Sequence, residues 1–241
     1  MKQLLAVLFL LCSSVCADRV VNAQTNEVNQ ALERGYEAFQ LGRYQQAAFE
    51  YRLALGWPGA HLARAHYNLG VCLHWLGQTR QAVAEYRKAL ALRDDQDAKA
   101  AFALGVALQE LGQDKEALAA FRQTLALTGG QHAEAQFELA LALQTQGAFE
   151  TAAEHYLQAI KYSGDRLPAS RNNLGVLFAQ QGRLAEAERE FTAAWQKSRR
   201  KLKAAEQNLQ LCRQRLSAST QLFLAKLETA ATKSALGVQR Q

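Results

Sequence analysis

Residues Ala63 to Gln96 read ARAHYNLGVCLHWLGQTRQAVAEYRKALALRDDQ, and the pattern of this stretch recurs in phase along the chain. Gly42, Gly77, Gly112, Gly147 and Gly182 stand 35 residues apart, and so do Ala47, Ala82, Ala117, Ala152 and Ala187. A third column holds only aromatics: Tyr51, Tyr86, Phe121, Tyr156 and Phe191. Five copies at one period make a repeat array, in which each unit buries its apolar stripe by stacking on the next and no single central core forms. The length of 241 residues therefore does not count domains. Hydrophobic residues are 49% of the chain and prolines number 2, which suits closely packed helices.

Within a copy, a first helix carries a small residue shortly before the turn, as in Asn68-Leu69-Gly70, Ala103-Leu104-Gly105 and Asn173-Leu174-Gly175. The turn glycine supplies a left-handed residue that ends the helix without steric cost. A second helix follows, with alanine where two backbones approach and the aromatic one turn later to fill the space left.

These columns resemble the tetratricopeptide repeat, whose pattern runs Trp, Leu-Gly, aromatic, Ala, aromatic, Pro. Leu69, Gly70, Leu73, Ala82, Tyr86 and Ala89 match it, as do Leu104, Gly105, Leu108, Ala117 and Phe121. The tryptophan column instead reads Ala31, His66, Ala101, Gln136 and Arg171, and the proline column Gly59, Asp94, Gly129 and Gly164. The resemblance implies an all-α fold, a right-handed α-solenoid of five helix-turn-helix repeats over 28–62, 63–97, 98–132, 133–167 and 168–197. The 35-residue period adds one residue to each inter-repeat turn relative to the 34 of the family. The first repeat is the poorest copy, with Arg34 in the leucine column and Glu37 in the small column, as befits a terminal unit.

The two ends differ from the array. Lys2, the apolar run Leu4 to Leu11 and the small-residue end Val15-Cys16-Ala17 are the three parts of a secretory signal, so residues 1–17 are predicted to be cleaved after Ala17. An exported chain, periplasmic or extracellular, is expected. Residues 18–27 read as a polar leader. At the other end, Leu202, Ala205, Leu209, Cys212 and Leu216 recur at helical spacing, so 198–233 is predicted to be a basic capping helix region and 234–241 a disordered tail. Residues 18–196 carry a net charge of −3, whereas 197–241 carry +8. Arg199, Arg200, Lys201, Lys203, Arg213 and Arg215 form a basic surface for an anionic envelope component, or simply a solvated helix. No aromatics interleave with them for base stacking, and nucleic acid is not an expected partner.

Three columns are candidates for a groove lined by the first helices: Leu32, Tyr67, Phe102, Phe137 and Asn172; Tyr36, Val71, Val106, Leu141 and Val176; and Phe39, His74, Gln109, Gln144 and Ala179. With Asn68 and Asn173, they describe an apolar trough with amides on its rim, suited to an extended peptide or an amphipathic helix. The alternative is that these side chains pack on neighbouring helices. The carboxylate clamp of some tetratricopeptide proteins is broken here: Asn68 and Lys99 match it, but Leu32, Tyr36 and Ala103 do not.

Nothing points to an enzyme, a cofactor or a metal. The 5 histidines, His61, His66, His74, His132 and His155, form no HExxH and no i, i+4 pair. Asp94, Asp95 and Asp97 lack a calcium loop's glycine and distal glutamate, and read as helix caps. Cys72 and Cys212 read as buried fillers, too far apart to bridge.

Overall fold

The computed structural model describes residues 25–217. Helices fill most of that span: α1 (25–40), α2 (Tyr44–Ala54), α3 (Leu62–Trp75), α4 (Thr79–Ala91), α5 (Ala98–Glu110), α6 (Asp114–Leu127), α7 (Ala133–Thr145), α8 (Phe149–Ser163), α9 (Pro168–Gln180), α10 (Leu184–Lys197) and α11 (Lys203–Ser217). No strand occurs among the described residues. The fold is an all-α solenoid of helix pairs. Its described residues pack as two compact units divided after Ala100, within α5. The expected signal, most of the leader, the capping region beyond Ser217 and the tail lie outside the described residues.

The turn inside each pair is one motif repeated. Gly77 has φ +73°, its N–H donates to the His74 carbonyl, and the next N–H, of Gln78, reaches back to Leu73 at 2.8 Å. These two bonds tie off the carbonyls that a helix end leaves without partners. Gly42, Gly112, Gly147 and Gly182 share the motif, with φ between +71° and +79°.

The turn between pairs explains the missing proline. Its column is left-handed throughout: Gly59 (φ +154°), Asp94 (+48°), Gly129 (+57°), Gly164 (+57°) and then Arg199 (+54°). From the second repeat onward a further left-handed residue follows: Asp95 (+60°), Gly130 (+80°), Asp165 (+64°) and Arg200 (+63°). Proline, fixed near φ −65°, has no access to that region. The second left-handed residue reaches back five positions, as from Asp95 to Leu90 and from Arg200 to Trp195. Asp94 and Asp95 thus form the turn and not a cap, whereas Asp97 does cap α5, its Oδ1 accepting from the N–H groups of Lys99 (3.0 Å) and Ala100 (3.1 Å).

The alanine and aromatic columns are buried in every copy. Four of the five aromatic rings cover a glycine 16 positions earlier: Tyr51 over Gly35, Tyr86 over Gly70, Phe121 over Gly105 and Phe191 over Gly175; Ala140 holds that place before Tyr156. In the second, fourth and fifth repeats the absent tryptophan is replaced by a polar pair between the helices of the repeat: His66 Nδ1 with Glu85 (2.6 Å), Gln136 with His155 Nδ1 (2.6 Å) and Arg171 with Glu190 (2.8 Å). A pair joined at its polar ends spans the gap that a Trp would fill with apolar bulk.

In α11 the register continues. Ala205, Asn208, Leu209 and Cys212 stand 35 residues after Ser170, Asn173, Leu174 and Leu177, and are buried as those are. Leu209 and Cys212 close a core with Val176, Ala179, Ala187 and Phe191. The helix therefore caps the array by occupying the place of a sixth first helix. Both cysteines are free and buried. Burial pushes the Cys72 thiol up to about 12 and the Cys212 thiol to about 11, so neither is a reactive thiolate near neutrality.

Candidate peptide-binding cleft

On α1, residues Asn29, Leu32, Glu33, Tyr36 and Glu37 follow the 3- and 4-residue spacing that places side chains on one helix face. They form one wall of a cleft of about 460 Å³ whose other wall is Arg64 and Asn68 of α3. Leu32 is buried at its floor, while Tyr36 is 59% exposed. Asn68 is held in place by a hydrogen bond to the Tyr51 hydroxyl, whose pKa burial pushes up to about 12. Glu33, Glu37 and Arg64 are exposed. The cleft thus joins an apolar floor and an aromatic face to carboxylates on α1 and to a guanidinium and an amide on α3.

Of the groove residues expected from the sequence, the structure brings Tyr36 and Asn68 to this cleft, along with Leu32 of the same columns. Val71 and His74 are buried, and Tyr67 is half-buried with its ring 6.0 Å from that of Tyr86. Burial, with Asp97 nearby, raises the Tyr67 pKa.

In the second unit the expectation is corrected. Phe102 packs on Phe121 (5.8 Å between centroids) and on His132 (4.5 Å), and Phe137 on Tyr156 (5.7 Å). Phe137 is 1% exposed and belongs to the core with Leu174 and Leu177, on which Leu141 also packs. Val106 is buried as well. The reason is geometric: Phe102 lies three residues before Gly105, so both face the ring of the second helix. That spacing was the signal that the column is core.

The amides of the second unit are bonded to one another instead of lining an open rim. Tyr156 donates to Gln144 Oε1 (2.7 Å), Asn173 Nδ2 to the Tyr156 hydroxyl (3.2 Å), Asn172 Nδ2 to Asn173 Oδ1 (3.1 Å) and Asn208 Nδ2 to Asn172 Oδ1 (3.1 Å). Gln109 donates to Glu138 at 3.0 Å. Buried polar groups need such partners, because an unpaired one costs about 1–3 kcal/mol. Burial raises the Tyr156 pKa above its ordinary value, despite the hydrogen bond from Asn173.

The basic surface is likewise divided. Arg213 is paired with Glu188 at 2.7 Å, Arg200 lies over the Trp195 ring at 5.1 Å, and Arg215 is half-buried. Arg199, Lys201 and Lys203 are exposed.

Sequence reasoning missed Asn29, Glu33, Glu37 and Arg64. The signal was available: Asn29 and Arg64 share one column and Glu33 and Asn68 another, each pair 35 residues apart, on the helix face adjoining Tyr36.

Profiles of the family described as Tetratricopeptide repeat match residues 61–129, 108–169 and 137–201, which together span more than half of the chain. The chain belongs to the tetratricopeptide repeat family. As a member it is a scaffold for protein–protein interaction. No match was found among the curated proteins. Solved structures of tetratricopeptide-type proteins resemble it in fold. MamA of Desulfovibrio magneticus RS-1, from residue 41 to its end, is 20% identical with a TM-score of 0.62, over 73% of this chain and 97% of that one. TTC0263 of Thermus thermophilus, a thermophilic tetratricopeptide protein, is 21% identical with a TM-score of 0.54, over 78% and 99%. YrrB, described as a tetratricopeptide protein with an unusual peptide-binding site, is 19% identical with a TM-score of 0.58, over 73% and 92%.

Proposed function

We propose that this tetratricopeptide protein is an exported scaffold that holds a segment of an envelope or extracellular partner between α1 and α3. The observation that carries this reading is Tyr36: in a face whose other aromatic and aliphatic columns are mostly buried, it stands 59% exposed over an open cleft with polar walls. An aromatic anchor ringed by hydrogen-bonding groups is what recognition of a peptide needs. Export rests on the signal-like residues 1–17. The peptide-binding site named for YrrB, a protein of the same fold, is consistent with such a role.

The test is a photo-crosslinking amino acid placed at Tyr36 and, as a control, at Leu157 on the exposed side of α8. A discrete adduct at position 36 only is expected. Equal adducts at both positions, or none at 36, would sink the cleft reading.

The runner-up is a surface tether through the exposed Arg199, Lys201 and Lys203. It differs in salt response: binding through these cations weakens as ionic strength screens them, whereas apolar anchoring at Tyr36 persists.

A further inference from the structure

Elsewhere in the array, carboxylates set against a neighbouring helix are engaged. Glu50 is paired with Arg34, Glu85 with His66 and Lys88, Glu138 with Gln109, and Glu190 with Arg171. Glu33 and Glu37 are different. They stand one helical turn apart on the cleft wall, exposed, and neither carboxylate has an ion pair or a hydrogen bond among the described residues. The Arg64 guanidinium, on the opposite wall, has none among the described residues either, so no ion pair among them neutralises the cleft across its width. One wall is acidic, the other carries a guanidinium and an amide, and Tyr36 and Leu32 lie with them in the cleft.

We propose that the cleft selects an extended peptide bearing an apolar side chain two residues from a lysine or arginine. This deepens the scaffold reading and rests on it. The apolar side chain packs on Tyr36 and Leu32, and the basic one reaches the two carboxylates of α1. In an extended chain, side chains two residues apart point to the same side, so both face α1 while the peptide backbone lies toward Arg64 and Asn68. The guanidinium has five N–H donors and the amide two, enough to serve the carbonyl oxygens of the peptide while Asn68 keeps its bond to Tyr51. Two carboxylates at one-turn spacing repel each other when both are ionised, and a cation between them relieves that repulsion. This gives the cleft a preference for positive over negative side chains, not merely an affinity for apolar ones.

The experiment is selection of random heptapeptides displayed on phage against the full chain, against Glu33→Gln/Glu37→Gln, and against Tyr36→Ala. The wild-type chain is expected to enrich sequences with a basic residue two positions from an aromatic or aliphatic one. The double variant should lose the basic preference while keeping the apolar one. A synthetic peptide from the wild-type selection should bind the double variant about tenfold more weakly, as the loss of two solvent-screened ion pairs implies. Enriched peptides with no basic preference, or a basic preference that survives in the double variant, would overturn the inference and leave the cleft reading standing. Selection unaffected by Tyr36→Ala would overturn both. No enrichment on the wild-type chain would also overturn both, leaving the chain's own further residues or a second copy as the occupant.

Discussion

Phe121 lies so close over Gly105 that a Cβ built there would stand 2.6 Å from its Cε1. Helix α5 carries the glycine and α6 the ring, and Phe102 braces the ring from the side at 5.8 Å. The same approach recurs at Gly70 and Tyr86 and at Gly175 and Phe191, each at 2.7 Å, so the Leu-Gly column is a steric requirement of the helix pair. Replacing Gly105 by Ala should destabilise the chain by about 1–3 kcal/mol, the usual cost of overpacking. Ala140 stands in this column in the fourth repeat, with Phe137 bracing Tyr156 there at 5.7 Å, so the ring can yield and the cost is bounded to that range. A urea denaturation midpoint unchanged by the substitution would contradict this account.

Arg199 carries a side chain in a left-handed conformation, at φ +54°, where the third and fourth inter-repeat turns hold Gly129 and Gly164. Left-handed backbone costs a residue with a Cβ about 1–2 kcal/mol, and glycine gives part of that gain back as chain entropy. Arg199→Gly should therefore raise stability by about 0.5–1 kcal/mol. Conversely, Gly129→Pro, which restores the family residue, should cost about 3 kcal/mol or more, because φ +57° is closed to proline. Opposite signs in the two thermal melts are the expected result.

Phe137 and Tyr36 separate core from cleft. Phe137→Ala should cost about 3–5 kcal/mol, as for other buried aromatics, whereas Tyr36→Ala should leave stability within about 0.5 kcal/mol. Only the second should lose binding of a peptide selected on the wild-type chain while staying well folded. Circular dichroism with melting of both variants shows which column is core, and peptide binding by the folded variant shows which one binds.

Acid should destabilise the array in two stages. Burial holds His155 and His132 below the ordinary histidine value of 6.5. A histidine whose folded pKa is depressed contributes stability above its unfolded pKa, and that stability is lost as pH falls through 6.5 toward the folded pKa. Below that, Glu85 and Asp165 follow. Burial pushes Glu85 up, but hydrogen bonds from Lys88 and His66, with their charges, outweigh it and leave its pKa lowered. The hydrogen bond from Arg171 comes first in lowering Asp165; burial opposes it, and Lys197 adds to the lowering. Their contribution is present above the ordinary carboxylate range and is lost as pH falls through their lowered values. Denaturation midpoints measured from about pH 8 to about pH 3 should therefore fall first near about pH 6. In His155→Gln the earlier fall should be shallower and the later one unchanged.

The period of 35, the glycine turns, the alanine and aromatic columns and the tetratricopeptide kinship follow from the sequence, because each is a local demand repeated five times. A turn glycine answers to φ, and a column residue to one neighbouring helix. What sequence left open was the outward sense of each first-helix column. Phe102, Phe137 and Tyr36 look alike as letters, but the ring three residues before Gly105 or Ala140 faces the second helix, whereas Tyr36, one residue past Gly35, faces solvent. The bonded chain from Gln144 to Asn208 joins α7, α8, α9 and α11, and no spacing within one helix reveals such a network. For Glu33, Glu37 and Arg64 the sequence offers shared columns, Asn29 with Arg64 and Glu33 with Asn68, but not the cleft between them. A wall is a property of two helices at a set distance and rotation, and only packing fixes those.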